Sequence, residues 1–162
     1  MNIFFLSLNP KEAAMLHCDK HVVKMIIESA QLLYSAHWMI GSTLPANAYK
    51  LAHKNHPCSI WVRQSLTNYM WLCSLAWWLC KEYQFRYGEH KIHKTEQHVL
   101  WLMQNPPNLP FVEFTTPAQA MPDQFKQENV IEAYKTFYIE SKLKERGIVN
   151  YTKRDWPIFL RV

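Results

Sequence analysis

From Asn9-Pro10-Lys11-Glu12 to Gly41 the chain reads as one long helix buried on most of its sides, and this stretch limits the possible folds more than any other. Asn9 is a capping residue, Pro10 suits the first helical position, and Glu12 supplies the carboxylate three residues after the cap. The spacing predicts a helix over 10–39 that stops before Gly41. Val22, Val23, Met25, Ile26, Ile27, Ala30, Leu32 and Leu33 leave it little polar surface, so other elements have to pack around it. What polarity remains falls in a stripe. His17, His21, Lys24 and Glu28 stand at i, i+4, i+7 and i+11, which at about 100° per residue confines them to a sector roughly 60° wide. Two imidazoles, an amine and a carboxylate in one seam are the ingredients of proton transfer. The plain alternative is the exposed edge of a buried helix. Solvent edges, however, rarely stack two histidines with Cys18 and Asp19 between them.

The rest of the chain also reads as helical. A second long helix is predicted from Pro57 to Tyr87 with Gly88 as its C-cap, a third over 94–104, and a fourth over 127–146 capped by Gly147. Val130, Tyr134, Phe137 and Tyr138 mark the inward face of the fourth. Pro106, Pro107, Pro110, Pro117 and Pro122 rule out a helix between the third and fourth. Leu109, Phe111, Val112 and Phe114 are expected to fold that segment down onto the bundle. With 162 residues, 49% of them hydrophobic, and only three glycines, the expectation is an all-α single domain over 1–162. It would be a bundle of about four helices, two of them long, with a Pro-rich wrapping segment.

The net charge of +5 and pI near 9.0 favour a polyanionic partner, nucleic acid or a nucleotide. Cys18, Cys58, Cys73 and Cys80 form no CxxC pair, as expected of free thiols in a reducing cytoplasm. The start lacks the basic segment of a secretion signal, and the apolar run from Cys73 to Cys80 is far short of a membrane span. A cytoplasmic location without membrane attachment follows as an expectation, and the oligomeric state stays open.

In the helix-one seam one histidine would act as base and the other as acid, Lys24 would stabilise anionic charge, and Glu28 would orient or protonate. Asn55 and His56, just before Pro57, would bind substrate at the start of the second helix. Trp61 would stack on a base, and Arg86, the His90 turn, Lys153, Arg154 and Arg161 would hold phosphates. His17-x-x-x-His21 also has metal-ligand spacing. The zinc-protease signature requires glutamate where Cys18 stands, and Lys20 and Lys24 would repel a dication, so neither metal nor cofactor is expected. No glycine-rich phosphate loop, Ser/His/Asp set or CxxC cluster is present, which removes kinase, Rossmann, zinc-finger and classical hydrolase readings.

Asn2 to Leu6, His17-Cys18-Asp19-Lys20-His21-Val22-Val23-Lys24-Met25, and Asn55-His56-Pro57-Cys58 with Trp61 resemble a family of uncharacterised phage and large-DNA-virus proteins. Glu82-Tyr83, Arg86-Tyr87-Gly88 and Gln119-Ala120-Met121-Pro122 extend that resemblance, which implies no particular activity. In layout the chain also resembles the pyrimidine-dimer DNA glycosylase/AP lyases of the phage endonuclease V type. Those are small, basic, all-α proteins with a histidine-bearing first helix and an aromatic-basic tail. That class attacks the sugar with an N-terminal α-amine assisted by a helix-one glutamate and arginine. Here the corresponding positions hold Val23 and Lys24, so an imine would form on the Met1 amine or Lys24, with Glu28 the seam's sole carboxylate. The expected function is DNA base excision. The alternatives are a metal-independent phosphodiesterase acting on RNA or a cyclic nucleotide, and a non-catalytic nucleotide or host-protein binder.

Overall fold

The computed structural model describes residues 1–161, which form six α-helices and no strand. These are α1 (Pro10–Leu16), α2 (Asp19–Ile40), α3 (Pro57–Gln64), α4 (Leu66–Tyr87), α5 (Glu96–Gln104) and α6 (Val130–Phe137). The last continues as a π-helix from Tyr138 to Glu145, and two 3-10 turns, Asp123–Phe125 and Ile158–Leu160, complete the described structure. No helix among the described residues is long and apolar enough to cross a membrane.

The count of about four helices is too low because each predicted long helix is broken once. The first breaks where His17 and Cys18 turn extended, with ψ of 134° and 160°. Distant groups then take the N–H donors that a continuous helix would use internally. Cys18 N–H donates to the Tyr138 hydroxyl at 3.1 Å, and Asp19 N–H to the Asn150 carbonyl at 2.9 Å. The second breaks at Ser65 (φ −153°, ψ 155°), whose Oγ accepts from Asn68 N–H at 3.0 Å. Leu66 N–H donates to Pro110 of the wrapping segment at 2.8 Å. Ser65→Ala is expected to lower stability by about 1 kcal/mol, read from urea denaturation, because the α4 start loses its cap.

The C-terminal stops follow local chemistry. Gly41 ends α2 at φ 73° and Gly147 closes the π-helix at φ 58°, a left-handed conformation that an L side chain resists.

α2 and α4 pack along each other at the centre of the bundle, with α1, α3 and α5 against them. Asn2 to Leu6 thread through this core: Phe4 lies on His21 and Phe137, and Phe5 on Trp61 and Trp71. Asn2 Nδ2 donates to the Ala120 carbonyl at 2.9 Å, so the Gln119–Pro122 stretch holds the N-terminal segment in place. Val130, Tyr134, Phe137 and Tyr138 are all buried. Of the wrapping-segment residues, Leu109 packs inward, while Phe111 and Val112 project outward at 85% and 51% exposure. The segment is anchored beside them by backbone acceptors, Pro110 taking Leu66 N–H at 2.8 Å and Val112 the Thr67 hydroxyl at 2.6 Å.

Arg86 is central to the fold. It is buried, its Nε donates to Glu82 at 2.8 Å, Nη1 to Asp19 at 3.0 Å, and Nη2 to the Met15 carbonyl at 3.0 Å. Arg154 grips the same Glu82 with two bonds, at 2.8 and 2.9 Å. Asp19 in turn accepts from Thr152 N–H and Oγ1, which ties the C-terminal tail to the start of α2. The guanidinium expected to meet phosphate is thus spent inside the protein.

Candidate functional site

Glu28 occupies the middle of α2, facing the N-terminal segment rather than solvent. Its Oε2 accepts Asn2 N–H at 2.9 Å and lies 3.9 Å from the Met1 nitrogen, while its Oε1 meets Lys24 Nζ at 3.2 Å. The carboxylate is nearly covered, whereas Lys24 is largely exposed. Around this group opens a pocket of about 350 Å³, whose walls come from the N-terminal segment, α2 and the π-helix. Lys20, Lys24, Lys142 and Arg146 line it with Glu28, so four cationic side chains face one carboxylate. Phe4, Met25, Phe137 and Ile148 provide the apolar wall.

His21 lies on this wall, stacked on Phe4 at 4.5 Å between ring centroids. Its Nδ1 is 2.6 Å from the Tyr138 hydroxyl. The same phenol oxygen accepts Cys18 N–H at 3.1 Å, and its proton also lies within reach of Cys18 Sγ at 3.5 Å, so Tyr138 joins His21 to the break at the start of α2. Burial, together with His17, Lys142, Lys24 and Lys20, pushes the imidazole down to about 2, so His21 is a neutral ring at physiological pH.

His17 is absent from the pocket. The break at 17–18 takes it off the α2 stripe and buries it completely behind His21, with ring centroids 6.5 Å apart. Nδ1–H donates to the Ala13 carbonyl at 2.6 Å, and Nε2 has no protein partner. Burial pushes this ring down to about 4. The expected acid–base pair of histidines therefore does not assemble in the pocket. No third His, Cys, Asp or Glu joins these rings in a cluster suited to a metal among the described residues.

These buried neutral rings set an acid limit on stability. Between pH 6.5 and 4 the unfolded chain binds a proton at His17 that the folded chain refuses, so stability falls as pH drops through that window. The loss from His17 alone is on the order of 3 kcal/mol by pH 4, from one pKa shift of that size. Urea midpoints measured at pH 7.5 and pH 4.5 are expected to show it, with full stability retained above pH 6.5.

The remaining sequence candidates divide plainly. His56 caps α3, its Nδ1 accepting Cys58 N–H at 3.2 Å, and its ring borders Met1 without lining the pocket. Asn55 and His90 lie on exposed turns and are not brought to the pocket. Trp61 is buried against Phe5, Trp71 and Phe114 and donates to the Thr115 carbonyl at 3.3 Å, so it is core rather than a stacking platform. Arg154 is bound to Glu82, Lys153 Nζ donates to the Phe85 carbonyl at 3.3 Å, and Arg161 Nε to the Trp156 carbonyl at 2.8 Å. Sequence reasoning missed Lys142 and Arg146. Nothing local marks them, because their place depends on how the π-helix meets the N-terminal segment.

A larger groove of about 910 Å³ runs between Leu8, Ile131, Trp156 and Phe159. Two of its carboxylates are engaged, Glu132 with Lys135 at 3.0 Å and Glu12 with the Ser7 hydroxyl at 2.6 Å, and Asp155 and Arg161 also line it. The smaller pocket differs in gathering four cationic side chains around one nearly covered carboxylate. Comparison with protein-family models, curated proteins and solved structures finds no match for this chain.

Proposed function

We propose that this protein is an enzyme acting on nucleic acid, and that it removes a base from its sugar at the Glu28 pocket. The observation carrying the proposal is a nearly buried carboxylate, held by a backbone N–H and bordered by amines, beneath a rim of cationic side chains. Lys20, Lys24 and Arg146 meet the phosphates on either side of the target sugar. Glu28 stabilises the positive charge that builds at C1′ as the C1′–N bond lengthens, and it takes the proton from the attacking nucleophile. The bonding pair leaves with the base, which gains a proton from solvent. His21, on the pocket wall, holds the sugar or the departing base through its ring.

The phosphodiesterase alternative required one imidazole as base and a second as acid. His17 is enclosed and does not line the pocket, so one imidazole of that pair stands there, and this supports the base-excision reading over the alternative. The test compares the full chain on duplexes carrying uracil, a pyrimidine dimer or no lesion, and on RNA and cyclic oligonucleotides. Free base or a new abasic site on a lesion-bearing duplex is the expected result. Linear 3′-phosphates from RNA would replace this reading with the alternative. Tight binding with no turnover of any substrate would make the protein a binder.

A further inference from the structure

The amine that the fold explains least is that of Lys142. It is buried to 7% exposure, yet it lines the pocket. Nζ stands 4.5 Å from the Phe137 ring centroid and 5.7 Å from that of Phe4, both rings of the pocket wall. Among the described residues it joins no ion pair, since Glu140 is taken by Lys144 at 2.8 Å and Glu28 by Lys24 and Met1. The two rings shelter the ammonium without neutralising it. The π-helix sets this placement. Residues five apart on an α-helix diverge by about 140°, whereas the wider π turn returns Phe137 and Lys142 to one face.

Lys20 and Arg146 line the same pocket, and among the described residues neither joins an ion pair. Both are exposed, so they stand at the rim while Lys142 stands at the enclosed end. Burial first, then Arg146 and Lys24, hold the Lys142 ammonium below the usual lysine range, and Glu145 and Cys18 oppose this. A positive field of this kind is relieved by an anion.

We propose that Lys142 is the inner seat for a terminal phosphate, a monoester dianion, whose remaining oxygens meet Lys20 and Arg146. Charge is the first reason. A phosphate monoester carries about −1.5 to −2 at neutral pH, against a single charge on the diester inside a strand, and three unpaired cations suit the former. Access is the second. A diester carries a sugar on each side, and both would have to enter for its phosphorus to reach the enclosed amine. The space is about 350 Å³, near the low end for small-ligand pockets. A terminal phosphate enters end-on. The phosphate's chemistry stands on the pocket, while its carrier being a nucleotide rests on the base-excision reading. Within that reading, a target nucleotide at a phosphorylated strand end is a better substrate than one inside the strand.

Isothermal titration calorimetry on the full chain compares thymidine 5′-monophosphate with its phosphate methyl ester. Two short single strands, alike but for a 5′-phosphate, are compared in parallel. The monophosphate is expected to bind about tenfold tighter than the methyl ester, the effect of one further charged contact. Lys142→Met keeps the contact with Phe137 and is expected to abolish that preference. Preference confined to the strands supports the seat and assigns it to strand ends. Preference in neither pair overturns the proposal, and these arms need no variant. A Lys142→Met chain that is folded by circular dichroism and keeps the preference also overturns it. Base release by a wild type that shows no monoester preference overturns the proposal and leaves the base-excision reading standing. Monoester preference without base release from any substrate supports the seat and removes the base-excision reading.

Discussion

Arg86→Met is expected to lower stability by roughly 3–5 kcal/mol, the range for breaking a buried ion pair from one side. The methionine fills much of the space but leaves Asp19 and Glu82 facing each other without the guanidinium that bonds both. Arg154 still holds Glu82 from the rim, so Asp19 bears most of the loss, and with it the Thr152 contact that anchors the tail. Against a total of about 5–15 kcal/mol for an ordinary domain, this change leaves the chain barely folded. Urea denaturation checks the effect. Adding Asp19→Asn to Arg86→Met is expected to recover part of it, because the second change removes the stranded charge. A variant as stable as the wild type would contradict the central place given to this network.

The second large effect is on chemistry. Glu28→Gln is expected to reduce base release by a factor on the order of 10²–10⁴, the range for removing a positioned acid–base group. The amide oxygen can still accept Asn2 N–H, so the N-terminal segment stays in place and thermal unfolding moves little. What disappears is the negative charge that faces C1′ and receives the proton. A loss of activity paralleled by global unfolding would point instead to a structural role, and circular dichroism on the same samples separates the two.

Much of the fold was legible because its signals are local. Asn9 accepts from Lys11 and Glu12 N–H as a capping residue should, Pro57 opens α3, and Gly41, Gly88 and Gly147 follow the helical stops. The Ser65 break had a readable sign too, a serine with Asn68 three residues on, but unbroken apolar periodicity on both sides hid it. The break at His17–Cys18 has no local sign at all. It exists because Tyr138 and Asn150, more than a hundred residues away, take the two N–H groups there. That long-range capture also split the histidine seam, moving His17 behind the pocket and leaving His21, Lys24 and Glu28 within it. The helical stripe placed three of the four residues correctly relative to one another because they share α2. Lys142, Arg146 and the buried role of Arg86 were invisible for the same reason as the break: each is set by packing between elements, which periodicity does not encode.

The account stands on the pocket between the N-terminal segment, α2 and the π-helix being where substrate sits. Hydrogen exchange read by mass spectrometry, with and without a duplex carrying a reduced abasic analogue, tests that directly. Protection is expected over residues 2–6, 19–28 and 137–148, weakening as salt is raised because phosphate contacts release counterions. Protection confined to the groove between Leu8, Ile131, Trp156 and Phe159, or no protection at low salt, would contradict it.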